Sequence, residues 1–152
     1  MNAEENLRRL QLQLPPPPKP VATYQTSVQV GNLLYVSGHG PATAEGIPTT
    51  GKVGADLSLE EGYRAARQTG LNLLATVRSA LGTLDRVEKV VKVLGMVNCT
   101  ADFKDHPKVI NGCSDLFVEV FGEPGRAARS AVGMNSLPGA IATEVEAIFQ
   151  VR

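Results

Sequence analysis

The residues that close the chain restrict its architecture more than any others. Thr143, Val145, Ala147, Phe149 and Val151 fall on one side of an extended strand, while Glu144, Glu146 and Gln150 fall on the other, because successive side chains of a strand point to opposite faces. One face of the sheet is core and the other carries charge. A preceding stretch, Arg129 to Asn135, repeats the alternation, with Ser130, Val132 and Met134 between Arg129, Ala131, Gly133 and Asn135. The pattern predicts that Arg129 and Glu144 leave the core face together. Arg86 to Val97, with five valines, is a third strand.

Two helices separate these strands. Ser58 and Glu61 form a capping box, and Tyr63, Ala66, Gly70, Leu74, Val77 and Leu81 recur at helical spacing until Gly82 stops the helix. Arg64, Arg67 and Arg78 form its solvent face. Asp105 and His106 precede Pro107, which suits a first helical position, and Val109, Ile110, Cys113, Leu116, Phe117 and Val120 make an apolar stripe as far as Gly122. Upstream, Tyr24 to Val30 and Leu33 to Ser37 flank Gly31-Asn32, a dipeptide suited to a tight hairpin turn. Gly38 to Asp56 reads as a long loop, of a length that in a compact domain more often serves function than not.

The order is ββαβαββ, an α+β domain with four to six strands and both helices on one face. The uncovered face, with a few charges among small residues, predicts assembly into an oligomer. Asn2 to Leu14 reads as a short helix carrying Leu7, Leu10 and Leu12, and Pro15 to Pro18 ends it. The division is therefore residues 1–22 as helix and proline-rich connector, and 23–152 as the domain. As an alternative to a stiff connector, the proline run could be a ligand for a proline-binding module.

At 152 residues the chain has the size of one domain with a core that needs no staples. Fifteen Lys and Arg balance fifteen Asp and Glu, so no net field draws a polyanion, and neither nucleic acid nor an anionic membrane is an expected partner. Apolar runs are far too short to span a bilayer. The acidic N-terminal stretch fits neither a secretory signal nor a transit peptide, and two cysteines make no disulfide scaffold, so a cytoplasmic location is expected.

Several motifs mimic chemistry they do not support. Gly46-Ile-Pro-Thr-Thr-Gly51-Lys52 has P-loop spacing, but Val53 replaces the magnesium-ligating hydroxyl, Gly54 follows where a helix should start, and Pro48 removes an amide. Gly38-His39-Gly40 is followed by Pro41 and a loop, unlike a dinucleotide site. Cys99, His106 and Cys113 recur every seven residues, a spacing wrong for zinc, so neither metal nor cofactor is expected. His39 has no nucleophile beside it, and its plain role is a loop residue bonded to backbone. Arg129 and Glu144 remain. An Arg fork can clamp a substrate carboxylate while a Glu nearby activates water; alternatively the two form a salt bridge that joins subunits.

Longer motifs carry a family resemblance. Val30-Gly31-Asn32-Leu33-Leu34-Tyr35-Val36-Ser37-Gly38, the capped first helix, Asp102-Phe103 ahead of Asn111, Ala128-Arg129-Ser130, Leu137-Pro138 and Glu144-Val145-Glu146-Ala147-Ile148 together resemble the Rid or YjgF family of reactive intermediate deaminases, also known as L-PSP-type endoribonucleases. The match covers about Tyr24 to Arg152. It implies a chorismate-mutase-like α+β fold and a homotrimeric barrel with ligand sites in the clefts between subunits. It also implies that Arg129 binds the carboxylate of a small 2-imino or 2-aminoacrylate-type acid, while Glu144 positions the water that hydrolyses C=N to a keto acid and ammonia.

Tyr24, Gly38 and Asn111 match positions that line or hold the family's pocket. Ala131 stands where Cys is frequent, His39 where Gln is frequent and Ser114 where an aromatic is frequent. The 46–56 stretch and the N-terminal segment are additions, so the resemblance points to a separate branch. The competing readings are a small-acid-binding trimer without catalysis and an endoribonuclease or translation inhibitor.

Overall fold

A computed structural model describes residues 2–152. Its elements in chain order are α1 (Ala3–Arg9), β1 (Ser27–Val30), β2 (Leu33–His39), α2 (Leu59–Leu81), β3 (Val87–Asn98), α3 (His106–Phe121), β4 (Ala128–Met134) and β5 (Thr143–Val151). The strands form one five-stranded sheet in the order β1-β2-β5-β3-β4. Only β3 and β4 run parallel, and α3 is the crossover such a pair requires.

The local signals explain most of these boundaries. Ser58 Oγ accepts from the Glu61 amide at 3.1 Å and the Ser58 amide donates back to the Glu61 carboxylate at 3.1 Å, which closes the N-terminus of α2. Gly82, at a φ of 85°, ends it in the left-handed conformation that a side chain would disfavour. The hairpin turn uses a positive φ at Gly31 alone, between the paired Val30 and Leu33.

Three boundaries differ from the sequence pattern. The N-terminal helix stops at Arg9, because the chain turns at Gln11 with a φ of 55° before the prolines are reached. The first strand begins at Ser27, three residues after Tyr24. The strand after the hairpin extends through Gly38 to His39, and a register shift against β5 lies between Val36 and His39.

Helices α2 and α3 pack against each other and cover one face of the sheet. Leu73, Leu74, Val77, Ile110, Leu116 and Phe117 are fully buried against Val90, Val93, Val97, Val145 and Phe149. Phe117 meets Phe149 edge-on, with ring centroids 5.8 Å apart; truncating such a core ring costs about 3–5 kcal/mol. The helices approach closely at Gly112, where a Cβ would lie 2.0 Å from the Tyr63 carbonyl oxygen.

A third helix joins this layer. α1 buries Leu7 in the same core, and Asn6 Nδ2 donates to the Val120 carbonyl at 2.8 Å. Arg78 is not a free surface cation, since its guanidinium grips Glu4 of α1 through two hydrogen bonds of 3.1 and 2.5 Å. Arg67 likewise binds Glu119 of α3 at 2.8 Å. Among the described residues no helix is long and apolar enough to cross a membrane.

Candidate functional site

The two faces of the sheet hold different halves of the candidate chemistry. Thr143, Val145, Ala147, Phe149 and Val151 are all buried beneath the helices, as their alternation predicts, so Glu144 and Glu146 project from the open face. In β4 the parity is opposite to the expected one. Arg129 pairs with the buried Val93, and Ala131 pairs with Gly95 under Ile110, so both face the helix side. Ser130 and Val132 face the open side with Leu94 and Met96.

Arg129 and Glu144 therefore do not leave the core face together; they lie on opposite faces of the same sheet. Strand β3 also separates them, about 10 Å across two strand spacings. The reason is that β4 is a short edge strand with no large apolar residue on its helix side, so composition did not reveal which parity is inward. An Arg can occupy the inner side there because α3 ends its apolar stripe short of the sheet edge and offers polar groups instead.

Those groups hold the guanidinium. Arg129 Nη1 donates to Asn111 Oδ1 at 2.8 Å and to Ser114 Oγ at 3.1 Å. Both acceptors lie on α3, one turn apart by their three-residue spacing. Because Nη1 carries two hydrogens, these bonds engage it fully, while the Nε–Nη2 edge keeps two parallel donors. Among the described residues no carboxylate forms an ion pair with Arg129. Within one chain Arg129 and Glu144 make no salt bridge. Asn111 braces the Arg, and Ser114 shares that task.

On the open face the Glu144 carboxylate lies directly over Gly38, where a Cβ would come 2.3 Å from Glu144 Oε2. Half-buried and without a donor among the described hydrogen bonds, Glu144 has its carboxyl pushed above the ordinary range by desolvation, with the Glu146 charge adding to the shift. Tyr24 is exposed and lies at the same end of the sheet, two residues before Thr26, whose carbonyl accepts from the Ser37 amide at 3.0 Å.

His39 is placed elsewhere. It is buried on the helix side at the end of β2, with Nδ1 2.6 Å from the Ser37 carbonyl and Nε2 2.7 Å from Thr76 Oγ1 of α2. A carbonyl can only accept, so Nδ1 carries the proton and Nε2 accepts from the Thr76 hydroxyl. Burial holds the imidazole below its usual pKa. Its side chain and Glu144 are on opposite faces, so His39 does not meet Glu144 within the chain.

The P-loop-like stretch is pinned to the end of the sheet. Val53 bridges to Cys99, and Lys52 Nζ donates to Asn98 Oδ1 at 3.0 Å and to the carbonyls of Asn135 and Cys99. Its three protons are committed to protein oxygens. Cys113 is fully buried between α3 and α2 beside Gly70, away from Cys99 and His106, which touch each other at 3.4 Å. Of these three residues spaced seven apart, only Cys99 and His106 meet. Among the described residues no set of three His, Cys, Asp or Glu side chains could hold a metal ion.

The open face is apolar as well as charged. Val28, Val30, Tyr35 and Val132 are 50%, 62%, 44% and 37% exposed, and all four belong to this face by register. A cavity of about 460 Å³ opens there, lined by Val28, Tyr35, Ser37, Lys92, Leu94 and Glu146, and it includes neither Arg129 nor Glu144.

A mixed five-stranded sheet with its helices on one face gives the α+β fold of the YjgF-like class. Residues 4–143 match the family model described as "YjgF/chorismate_mutase-like, putative endoribonuclease", and the chain belongs to that family. Protein TCP17 of Trypanosoma cruzi is 43% identical over 147 residues, 96% of this chain and 92% of its own. The crystal structure of Atu1372 from Agrobacterium tumefaciens, of unknown function, matches with a TM-score of 0.91 at 41% identity, covering 99% of this chain and 92% of that one. A Dermatophagoides farinae relative named 2-iminobutanoate/2-iminopropanoate deaminase is 30% identical over 134 residues, covering 88% of this chain and 90% of that one.

Proposed function

We propose that this protein hydrolyses small 2-imino or 2-aminoacrylate-type carboxylic acids to keto acids and ammonia, in clefts between the chains of a homotrimer. The observation that carries the reading is the guanidinium of Arg129. It is held by Asn111 and Ser114 through one nitrogen, and it presents its Nε–Nη2 edge with no carboxylate among the described residues to neutralise it. Two parallel donors match a carboxylate better than any single charge does.

Glu144 supplies the second half. Its raised carboxyl pKa makes the ionised form a better proton acceptor than an ordinary glutamate. In the reaction a water proton passes to Glu144 while the water oxygen bonds to the imine carbon. Glu144 returns that proton to the imine nitrogen, which completes a neutral carbinolamine; on collapse the hydroxyl proton also passes to nitrogen as the C=O bond forms and the C–N bond breaks, and nitrogen leaves as ammonia. Since Arg129 and Glu144 of one chain face opposite sides, a working site takes Arg129 from one chain and Glu144 with Gly38 from its neighbour. The apolar open face favours such an assembly. Tyr24 is the further candidate from the Glu144 side, and Ala131, beside Arg129 on β4, leaves room where a Cys would stand.

The deaminase-named relative supports the substrate class by resemblance. The test adds purified protein to a dehydratase that generates 2-aminoacrylate and follows keto-acid formation. Acceleration is expected, and Arg129→Ala should abolish it. A preparation that binds small acids without accelerating their hydrolysis would overturn the deaminase reading.

A further inference from the structure

On the helix side, at the far end of β4 from Arg129, Cys99 and His106 come together in a cavity that the proposed reaction does not use. The cavity holds about 360 Å³ and is lined by Cys99, Thr100, Phe103, His106, Gly133 and Met134 among others. Gly133 lies four residues beyond Arg129 along the strand, about 13 Å away. Cys99 Sγ and His106 Nε2 are 3.4 Å apart, within range of an S–H···N hydrogen bond.

Three further features shape the pair. Phe103 meets the His106 ring edge-on, with centroids 5.2 Å apart, which fixes the imidazole plane. Gly133 keeps the approach open, because a Cβ there would lie 2.5 Å from His106 Nε2 and 2.8 Å from Cys99 Sγ. Lys52 donates to the Cys99 carbonyl at 3.4 Å, so the loop added around residues 46–56 delivers a fixed positive charge to this cysteine.

We propose that Cys99 and His106 form a second reactive site, in which the imidazole acts as base for the thiol and the cavity admits small compounds with a soft electrophilic carbon. Burial keeps the resting thiol above its ordinary pKa against the opposing Lys52 charge and a Met134 backbone hydrogen bond, so the ground state is a neutral thiol with its sulfur 3.4 Å from His106 Nε2. On attack the new S–C bond forms as the leaving group departs with its bonding pair. The thiol proton passes to His106 Nε2 and from there to solvent. Loss of the proton in the transition state is what removes the barrier that burial imposes on a free thiolate. Cys113, buried between α2 and α3 with its thiol pushed far upward by burial, has no such base.

The probe is iodoacetamide on the full-length native protein, with each cysteine followed by peptide mass mapping. Alkylation forms the S–C bond and releases iodide. Cys99 is expected to react far faster than Cys113, which should label only after denaturation. The Cys99 rate should keep a component that follows imidazole ionisation, and His106→Phe should remove that component and slow labelling on the order of a hundredfold. Equal rates at the two cysteines would overturn the proposal. So would a Cys99 rate that tracks thiolate ionisation alone in the unsubstituted protein, a result that decides the matter even if His106→Phe fails to fold.

Discussion

At the scale of single residues, Glu144 and Gly38 work as one device. The carboxylate can lie against the β2 backbone only because position 38 has no side chain. Gly38→Ala should displace it and lower kcat for keto-acid formation by about a hundredfold, the usual penalty for a reacting group misplaced by an ångström. Circular dichroism should be unchanged. The raised carboxyl pKa of Glu144 should place the acid limb of kcat/KM above the ordinary glutamate range, and Glu144→Gln should erase that limb together with most of the rate. The same shift has a sign for stability. A carboxyl raised on folding contributes below its unfolded value and is lost as pH rises through the folded one, so Glu144→Gln should raise the urea midpoint at neutral pH. A lower midpoint there would contradict the assignment of desolvation as the cause.

At the scale of elements, the helix layer depends on two contacts that periodicity does not display. Gly112 lets α3 approach the backbone of α2. Gly112→Ala places a methyl group against the Tyr63 carbonyl, where neither partner can rotate away, and should cost about 3 kcal/mol in denaturant unfolding. α1 is held by Glu4, whose carboxylate accepts from Arg78 and from the Leu84 amide at 2.9 Å. Glu4→Ala should cost about 1.5 kcal/mol at neutral pH, since charged hydrogen bonds are lost. The Arg78 bonds hold the Glu4 pKa below its unfolded value, so this contribution is present above that value and disappears as pH falls through the folded one. The gap between variant and parent urea midpoints should close at acid pH.

At the scale of the whole molecule, the opposed faces of Arg129 and Glu144 make assembly a condition of the proposed chemistry. Val28→Glu, placed at the apolar cavity of the open face, should give a monomer in sedimentation and abolish turnover. Co-expression offers a positive test. Chains carrying Arg129→Ala and chains carrying Glu144→Gln should each be inactive alone, and random mixing in the proposed trimer should restore about a quarter of the activity, because some clefts then combine an intact Arg with an intact Glu. No recovery in verified mixed trimers would place both groups in one chain's site.

Local rules in the sequence were enough to delimit α2 and α3, to place five strands in order and to assign the two sides of β5, because each depends on neighbours a few residues apart and on a long run of alternation. The parity of β4 was beyond them. The apolar Val132 of this edge strand lies on the open side, so hydrophobic alternation points the wrong way, and which side faces inward is decided by polar groups of Asn111 and Ser114, eighteen and fifteen residues earlier in the chain. The meeting of Cys99 with His106, the grip of Arg78 on Glu4 and the seat of Glu144 on Gly38 are of the same kind. Each joins side chains from separate elements, and only packing the helices onto the sheet brings them within reach.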